Sequence, residues 1–254
     1  MLLHKVALIT GAASGIGASA ARLFASLGAQ LVLSDVDEAN GIQVAGEICK
    51  SGGDAIFVHA DVRDEQSIDK LVAESVARYG RIDCALNNAG VEGIRASLHA
   101  TASKHWDEVI SVNLSGVWRC MRYELAQMRG QKSGSIVNTA SVAGLTGLAG
   151  GFSPYVAAKH GVVGLTRAAA LEYGHRDIRI NAICPGVVNT SMFSRIQRGR
   201  SSLEELSCQP LDRFGDPVEV ARAAAWLLSD SASYVNGHAL VVDGGGMAGW
   251  LGDR

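Results

Sequence analysis

Short, continuously apolar runs alternate with longer amphipathic stretches along this chain. The apolar runs fall at residues 6–10, 30–34, 55–59, 84–87, 135–139, 178–183 and 239–242. Between them, residues 16–27, 38–50, 65–79, 106–129, 155–173 and 218–228 carry apolar side chains at helical spacing. The run Val6-Ala-Leu-Ile-Thr10 shows no polar alternation, as expected of a strand covered on both faces. Asp216-Pro217 pairs a helix N-cap with proline at the first helical position. Strands alternating with helices predict an α/β fold: a Rossmann-like, doubly wound parallel sheet of about seven strands with helices on both faces. No repeat, low-complexity segment or linker interrupts the pattern, which predicts a single domain over residues 1–254. The least regular stretch, 191–210, reads as a loop with a short helix, and so as a substrate lid.

Composition narrows the function classes. The 254 residues are 48% hydrophobic and 19% charged, which supplies a sizeable core and excludes a disordered chain. A net charge of −2 without a basic block argues against a nucleic-acid partner. Five scattered cysteines, none in a Cys-x-x-Cys pair, fit reduced thiols in a cytoplasmic protein better than a disulfide framework or a zinc site. His99, His105, His160 and His175 show no metal-ligand spacing, so no metal is expected. Residues 6–21 are uncharged and follow Lys5, as in a signal peptide, but the glycines at 11, 15 and 17 read better as a strand, a turn and a helix start. No uncharged run is apolar throughout over a membrane-spanning length, since the longest, 133–158, is rich in glycine, serine and threonine, and no membrane partner is expected.

The candidate chemistry lies in three places. Tyr155 and Lys159 are four residues apart, on one face of a helix. A free phenol titrates near pH ~10, and an adjacent ammonium favours phenolate, which makes tyrosine a usable general acid/base. Thr10-Gly-Ala-Ala-Ser-Gly-Ile-Gly17 follows the first strand and opens a helix. Glycine there lets backbone approach a pyrophosphate, and the helix start offers unpaired N–H groups. Asp35 ends the second strand, where a carboxylate accepts hydrogen bonds from an adenosine ribose and repels a 2′-phosphate. No Arg or Lys flanks it in Val36-Asp37-Glu38, which favours NAD over NADP.

These motifs, in this order, resemble the short-chain dehydrogenase/reductase family in its compact single-domain form, from about Lys5 to Gly245. The resemblance implies that Gly11, Ser14, Gly15, Ile16 and Gly17 form the cofactor turn. It likewise implies that Asp61 and Val62 contact adenine. Asn87-Asn88-Ala89-Gly90 matches the motif after the fourth strand, with Asn87 mainly structural and Asn88, Ala89 and Gly90 at the cofactor. Asn113 matches the helical asparagine whose main chain supports a catalytic water. Ser141 matches the serine that polarises the substrate, and Tyr155 with Lys159 matches the acid/base pair. Pro185 and Gly186, with Val188 and Thr190 beyond, match the nicotinamide-side loop. Other readings stay open: Ser141 as a turn cap, Asn113 as a plain polar helix residue, Asp35 and Thr190 as helix N-caps.

The family places substrate between three loops, here 91–99, 142–152 and 187–210. The second is small and uncharged, which suits a small apolar alcohol or ketone. Segment 147–153 looks longer and more glycine-rich than is common in the family. Arg195, Arg198 and Arg200 read either as ligands for an anionic substrate group or as solvated lid charges. The resulting expectation is an NAD-dependent oxidoreductase interconverting a secondary alcohol and a ketone. The alternatives are a 3-oxoacyl-thioester reductase and a non-catalytic dinucleotide sensor. Compact family members are often tetramers. A homotetramer is expected here, with contacts from the helix at 106–129, the helix from Tyr155, and the tail containing Trp250 and Leu251.

Overall fold

In the computed structural model, residues 1–197 and 209–249 are described. Seven strands form one sheet: β1 (Val6–Thr10), β2 (Gln30–Asp35), β3 (Asp54–His59), β4 (Cys84–Asn87), β5 (Gly134–Thr139), β6 (Ile178–Pro185) and β7 (Ala239–Val242). Their order is β3-β2-β1-β4-β5-β6-β7, and every neighbouring pair is parallel. The strand order reverses between β1 and β4. The loops leaving those two strands therefore diverge and open a crevice at the strands' carboxyl ends.

Helices cover both faces: α1 (Gly15–Ser26), α2 (Glu38–Lys50), α3 (Glu65–Tyr79), α4 (Ser103–Ile110), α5 (Val117–Gln131), α6 (Ser153–Tyr173), α7 (Ser191–Gln197) and α8 (Pro217–Leu228). The continuous apolar runs divide between two cores because successive strand residues point to opposite faces. Ala7, Ile9, Leu31, Leu33 and Val137 pack with α1, α2 and α8. Leu8, Val32, Ala85, Ile136 and Ile180 pack with α3, α5 and α6. Pro217 starts α8, and Glu219 accepts a hydrogen bond from the Asp216 N–H (2.8 Å).

The strands stand where the apolar runs predict them, within two residues. The middle helix differs. It starts at Ser103, and a six-residue π-helical segment, Ser111–Gly116, separates α4 from α5. Widening a turn changes no residue type, so the apolar pattern reads straight through it. The 191–210 stretch begins with α7; Arg198, Arg200, Trp250 and Leu251 lie outside the described residues. Among the described residues no helix is long and apolar enough to cross a membrane.

Candidate active site

The site begins where β1 ends. Gly11 turns the chain with φ +65°, and a Cβ on it would come within 2.8 Å of the Ala89 backbone. A Cβ on Gly17 would lie 2.0 Å from the Gly11 carbonyl oxygen. Neither position admits a side chain, so the turn presses against Asn88 and Ala89. Thr10 Oγ1 accepts from the N–H of Asn88 (3.1 Å) and of Ala89 (3.3 Å), and Asn88 Nδ2 donates to the Gly11 carbonyl (3.1 Å). Ser14 flanks α1 in extended conformation without a side-chain cap, and no acidic residue occupies the first turn. The helix start is thus left to an external anion. A cleft of about 910 Å³ opens here, lined among others by Ser14, Gly15, Asn189 and Thr190. Ile16 packs inward against the core. A cradle closed to side chains beside an open cleft fits a dinucleotide pyrophosphate.

Asp35 lies beside that cradle. Its Oδ2 accepts from the Ala13 N–H (2.9 Å) and its Oδ1 from the Asp37 N–H (3.0 Å). It is not the cap of α2; Asp37 has that role, accepting from the Asn40 N–H. Asp61 is held by Arg63 at 2.6 Å, and hydrogen bonds from Arg63 keep its carboxyl below the usual range. Val62 beside it is buried.

The other half of the site is made of side chains. Tyr155 is half-buried one turn before Lys159 on α6. Lys159 is 3% exposed, and its Nζ donates to the Thr139 carbonyl (2.7 Å) at the end of β5. Burial pushes Lys159 down to about 8. The Tyr–Lys spacing predicts a lowered Tyr155, and the structure differs. Burial raises the phenol and the Glu92 charge adds to the rise; a hydrogen bond with Ser141 opposes it. Lys159 Nζ stands 5.6 Å from the Tyr155 ring centroid and donates to the Thr139 carbonyl.

Ser141 also caps the short turn after β5, its Oγ accepting from the Ala143 N–H (3.1 Å). Asn113 is fully buried in the π-helical segment. Its Oδ1 accepts from the Val91 N–H and its Nδ2 donates to the Val91 carbonyl, both at 2.8 Å. A Cβ on Gly90 would stand 3.2 Å from Asn113 Oδ1 and 3.8 Å from Lys159 Nζ, so these three residues meet at one point. Beyond Pro185, the Gly186 N–H donates to the Val242 carbonyl (3.0 Å), and buried Val188 bridges to Gly215. Thr190 Oγ1 accepts from the Phe193 N–H (3.3 Å), capping α7 while lining the cleft.

Two features escape a reading of the sequence. Arg195 is neither free nor simply solvated: it makes a two-pronged ion pair with Glu92 (2.6 and 3.0 Å). The pair ties α7 to the loop after β4 across 103 residues of sequence, a separation that hides it from any local pattern. The glycine-rich segment also folds onto that loop. Arg95 Nε donates to the Gly150 carbonyl (2.9 Å), the Ala96 N–H donates to the Gly151 carbonyl (3.2 Å), and the Arg95 guanidinium lies 5.0 Å from the Phe152 ring centroid.

A doubly wound parallel sheet with a glycine cradle at its switch point and a Ser–Tyr–Lys group beyond it defines an oxidoreductase of the nicotinamide dinucleotide class. The chain belongs to the short-chain dehydrogenase/reductase family: the family model described as enoyl-(acyl carrier protein) reductase matches residues 11–246. A cyclohexanol dehydrogenase from Acinetobacter sp. (strain SE19) is 43% identical over 241 residues, covering 95% of this chain and 94% of that protein. The crystal structure of levodione reductase superposes with a TM-score of 0.95 at 39% identity, covering 98% of this chain and all of the other. The crystal structure of a variant actinorhodin polyketide ketoreductase with NADPH gives a TM-score of 0.91 at 37% identity, covering 95% of this chain and 97% of the other.

Proposed function

We propose that this protein is an NAD-dependent dehydrogenase that interconverts a small, apolar, ring-borne secondary alcohol and its ketone. The observation that carries the reading is the meeting of Tyr155, Ser141 and buried Lys159 at the end of β5, beside Gly90 and Asn113. A nicotinamide dinucleotide held by the Gly11–Gly17 cradle, Asp35 and Lys159 would supply or accept the hydride. Everything else falls to the chain's own side chains. Tyr155 takes the hydroxyl proton from the carbinol during oxidation and returns it during reduction. Ser141 donates a hydrogen bond to the substrate oxygen, where charge changes during reaction. Lys159 supplies positive charge behind the phenol, and its position beside Gly90 and Asn113 suits contact with the nicotinamide ribose. The main chain at Asn113, in the widened turn, suits a water linking Lys159 to solvent.

Asp35 supports NAD. Both of its oxygens already hold backbone N–H groups beside the cradle and keep acceptor capacity for ribose hydroxyls. The small, uncharged 142–152 loop and the likeness to a cyclohexanol dehydrogenase support an apolar cyclic substrate. A second reading, reduction of a 3-oxoacyl thioester with NADPH, draws on the family model's description and on the NADPH-bound ketoreductase neighbour. Turnover of cyclohexanol and related alcohols, followed by nicotinamide absorbance with each cofactor, separates the two. NAD with a cyclic alcohol supports the first; NADPH with a 3-oxoacyl thioester alone overturns it. Asp35→Ala should lower the NAD/NADP ratio of kcat/KM by roughly tenfold or more, since a like-charge contact costs several kcal/mol. Half-exposed Trp106 and Trp118, with Leu171 on α6, support a homotetramer built on α4, α5 and α6; sedimentation at micromolar concentration tests the assembly.

A further inference from the structure

Glu124 lies on the buried face of α5 with Val117, Met121, Leu125 and Met128, and is 0% exposed. It ends a chain of hydrogen bonds whose directions are fixed from the other end. Thr166 Oγ1 donates to the Val162 carbonyl (2.8 Å) on α6 and so accepts from Asn138 Nδ2 (3.0 Å). The second Asn138 N–H goes to Met121 Sδ (3.2 Å). Asn138 Oδ1 then accepts from Asn87 Nδ2 (3.0 Å), and the other Asn87 N–H goes to Glu124 Oε2 (3.0 Å). Turning either amide over would set acceptor against acceptor, so all four amide hydrogens are committed. Two buried acceptors are left over, and they belong to the same pair: Asn87 Oδ1 and Glu124 Oε1.

One hydrogen supplies both. We propose that Glu124 is a neutral carboxylic acid that donates its Oε1 proton to Asn87 Oδ1, and that this cyclic acid–amide pair is a positioning device for the cofactor and for Lys159. The surroundings agree with a neutral group. Burial pushes Glu124 up to about 7, opposed only by the bond from Asn87. From α5, the Cys120 thiol facing it is itself driven well above its ordinary value by burial. Arg119 is turned to the Val62 and Ser111 carbonyls, and Arg122 is paired with Glu65. From β4, β5 and α6 come the two amides and the Thr166 hydroxyl, while the Lys159 ammonium is directed at the Thr139 carbonyl.

The positioning follows from register. Asn87 and Asn138 are direct partners across β4 and β5. The next residue of each strand faces the site: Asn88 holds the Gly11 carbonyl, and the Thr139 carbonyl holds Lys159. This half of the proposal rests on the dinucleotide site proposed above; the protonation does not.

The test compares the whole protein with Glu124→Gln and Glu124→Leu. Gln keeps the shape and reproduces the neutral pair, its amide donating to Asn87 Oδ1. The sign of the pH effect follows from the raised value. Between the ordinary glutamate range near 4.5 and about 7 the folded protein holds more protons than the unfolded one, so wild-type stability falls as pH rises through that window. The melting temperature of Glu124→Gln should match wild type at low pH and exceed it above pH 7. Infrared difference spectra should show the protonated carboxyl stretch in wild type and none in Glu124→Gln. Parallel melting curves, or absence of that band, overturns the protonation. Glu124→Leu leaves Asn87 Oδ1 without a donor and should weaken NAD binding on the order of tenfold, with Gln restoring it. If Leu fails to fold, the Gln comparison stands alone. Loss of NAD affinity in Gln equal to that in Leu overturns the positioning.

Discussion

The two halves of the site are built from different materials. At β1 and α1 the proposed cofactor seat is made of backbone, and side chains matter by being absent: Gly11 and Gly17 admit no Cβ. At β5 and α6 the proposed working groups are side chains, and the backbone holds them, as the Thr139 carbonyl holds Lys159. Substitutions should therefore fail by shape in the first half and by chemistry in the second. That difference separates their readouts, because a lost contact lowers binding and stability whereas a lost proton lowers turnover alone.

The largest effect should come from chemistry. Tyr155→Phe keeps the ring and removes the transferable proton. Turnover should fall roughly 100- to 10,000-fold, with NAD binding by fluorescence titration and the melting temperature nearly unchanged. Ser141→Ala should cost roughly 100- to 1,000-fold in kcat, as for one lost oxyanion donor. Substantial residual turnover in folded Tyr155→Phe would remove the acid/base assignment. The complementary change, Gly17→Ala, should fail in the opposite way. With 2.0 Å between the new Cβ and the Gly11 oxygen, it should cost about 3 kcal/mol or more and weaken NAD binding together with stability, read by denaturant melts and titration. Full binding by that variant would mean the cradle is not the cofactor's seat.

A subtler divide concerns pH. Burial takes Lys159 from the ordinary lysine range to about 8, so above that value the folded protein binds fewer protons than the unfolded one. Stability of the nucleotide-free protein should then rise between about pH 8 and the ordinary value near 10.5, by about 1–3 kcal/mol over the window. Lys159→Met should flatten that rise in melting temperature against pH. An unchanged slope in Lys159→Met would show that the ammonium is better solvated than its burial implies.

Legibility follows the same divide. The strands, the glycine cradle and the Tyr–Lys pair are readable because each depends on local spacing: continuous apolar runs, glycines at fixed offsets, two residues one helical turn apart. The π-helical segment around Asn113 is not, since it adds a widened turn without changing residue type. Glu124 leaves a visible trace, an acid on the apolar face of the middle helix, but its partners Asn87 and Asn138 come from distant strands. For Tyr155 the spacing shows the nearby cation but not the burial that opposes it in the nucleotide-free chain. The sequence sets a cation nearby, but only the fold shows that burial dominates and that the ammonium is directed at Thr139.

The smallest expected effect lies where the halves are joined on the substrate side. Arg195 on α7 and Glu92 after β4 close an ion pair whose arginine side chain is 48% exposed. Burial is the largest influence and disfavours the Glu92 charge, but the Arg195 hydrogen bond, the residue's own backbone N–H and the Arg195 charge together outweigh it and hold the carboxyl below the usual range. An exposed pair of this kind contributes about 1 kcal/mol or less to stability, and salt screens it. Arg195→Gln should therefore leave the melting temperature within a few degrees. Its effect should appear in KM, which should rise modestly as α7 loses its tie, and raising ionic strength in wild type should mimic it. A different outcome follows if Arg195 instead holds an anionic group on the substrate. KM would then rise steeply for substrates bearing that group and stay unchanged for neutral cyclic alcohols. Comparing cyclohexanol with a carboxylate-bearing analogue in wild type and Arg195→Gln decides between a strap on the lid and a hand on the substrate. Glu92→Gln sharpens the answer. It breaks the strap in the same way but frees Arg195, so it should copy Arg195→Gln if the pair is structural and oppose it if the guanidinium binds substrate.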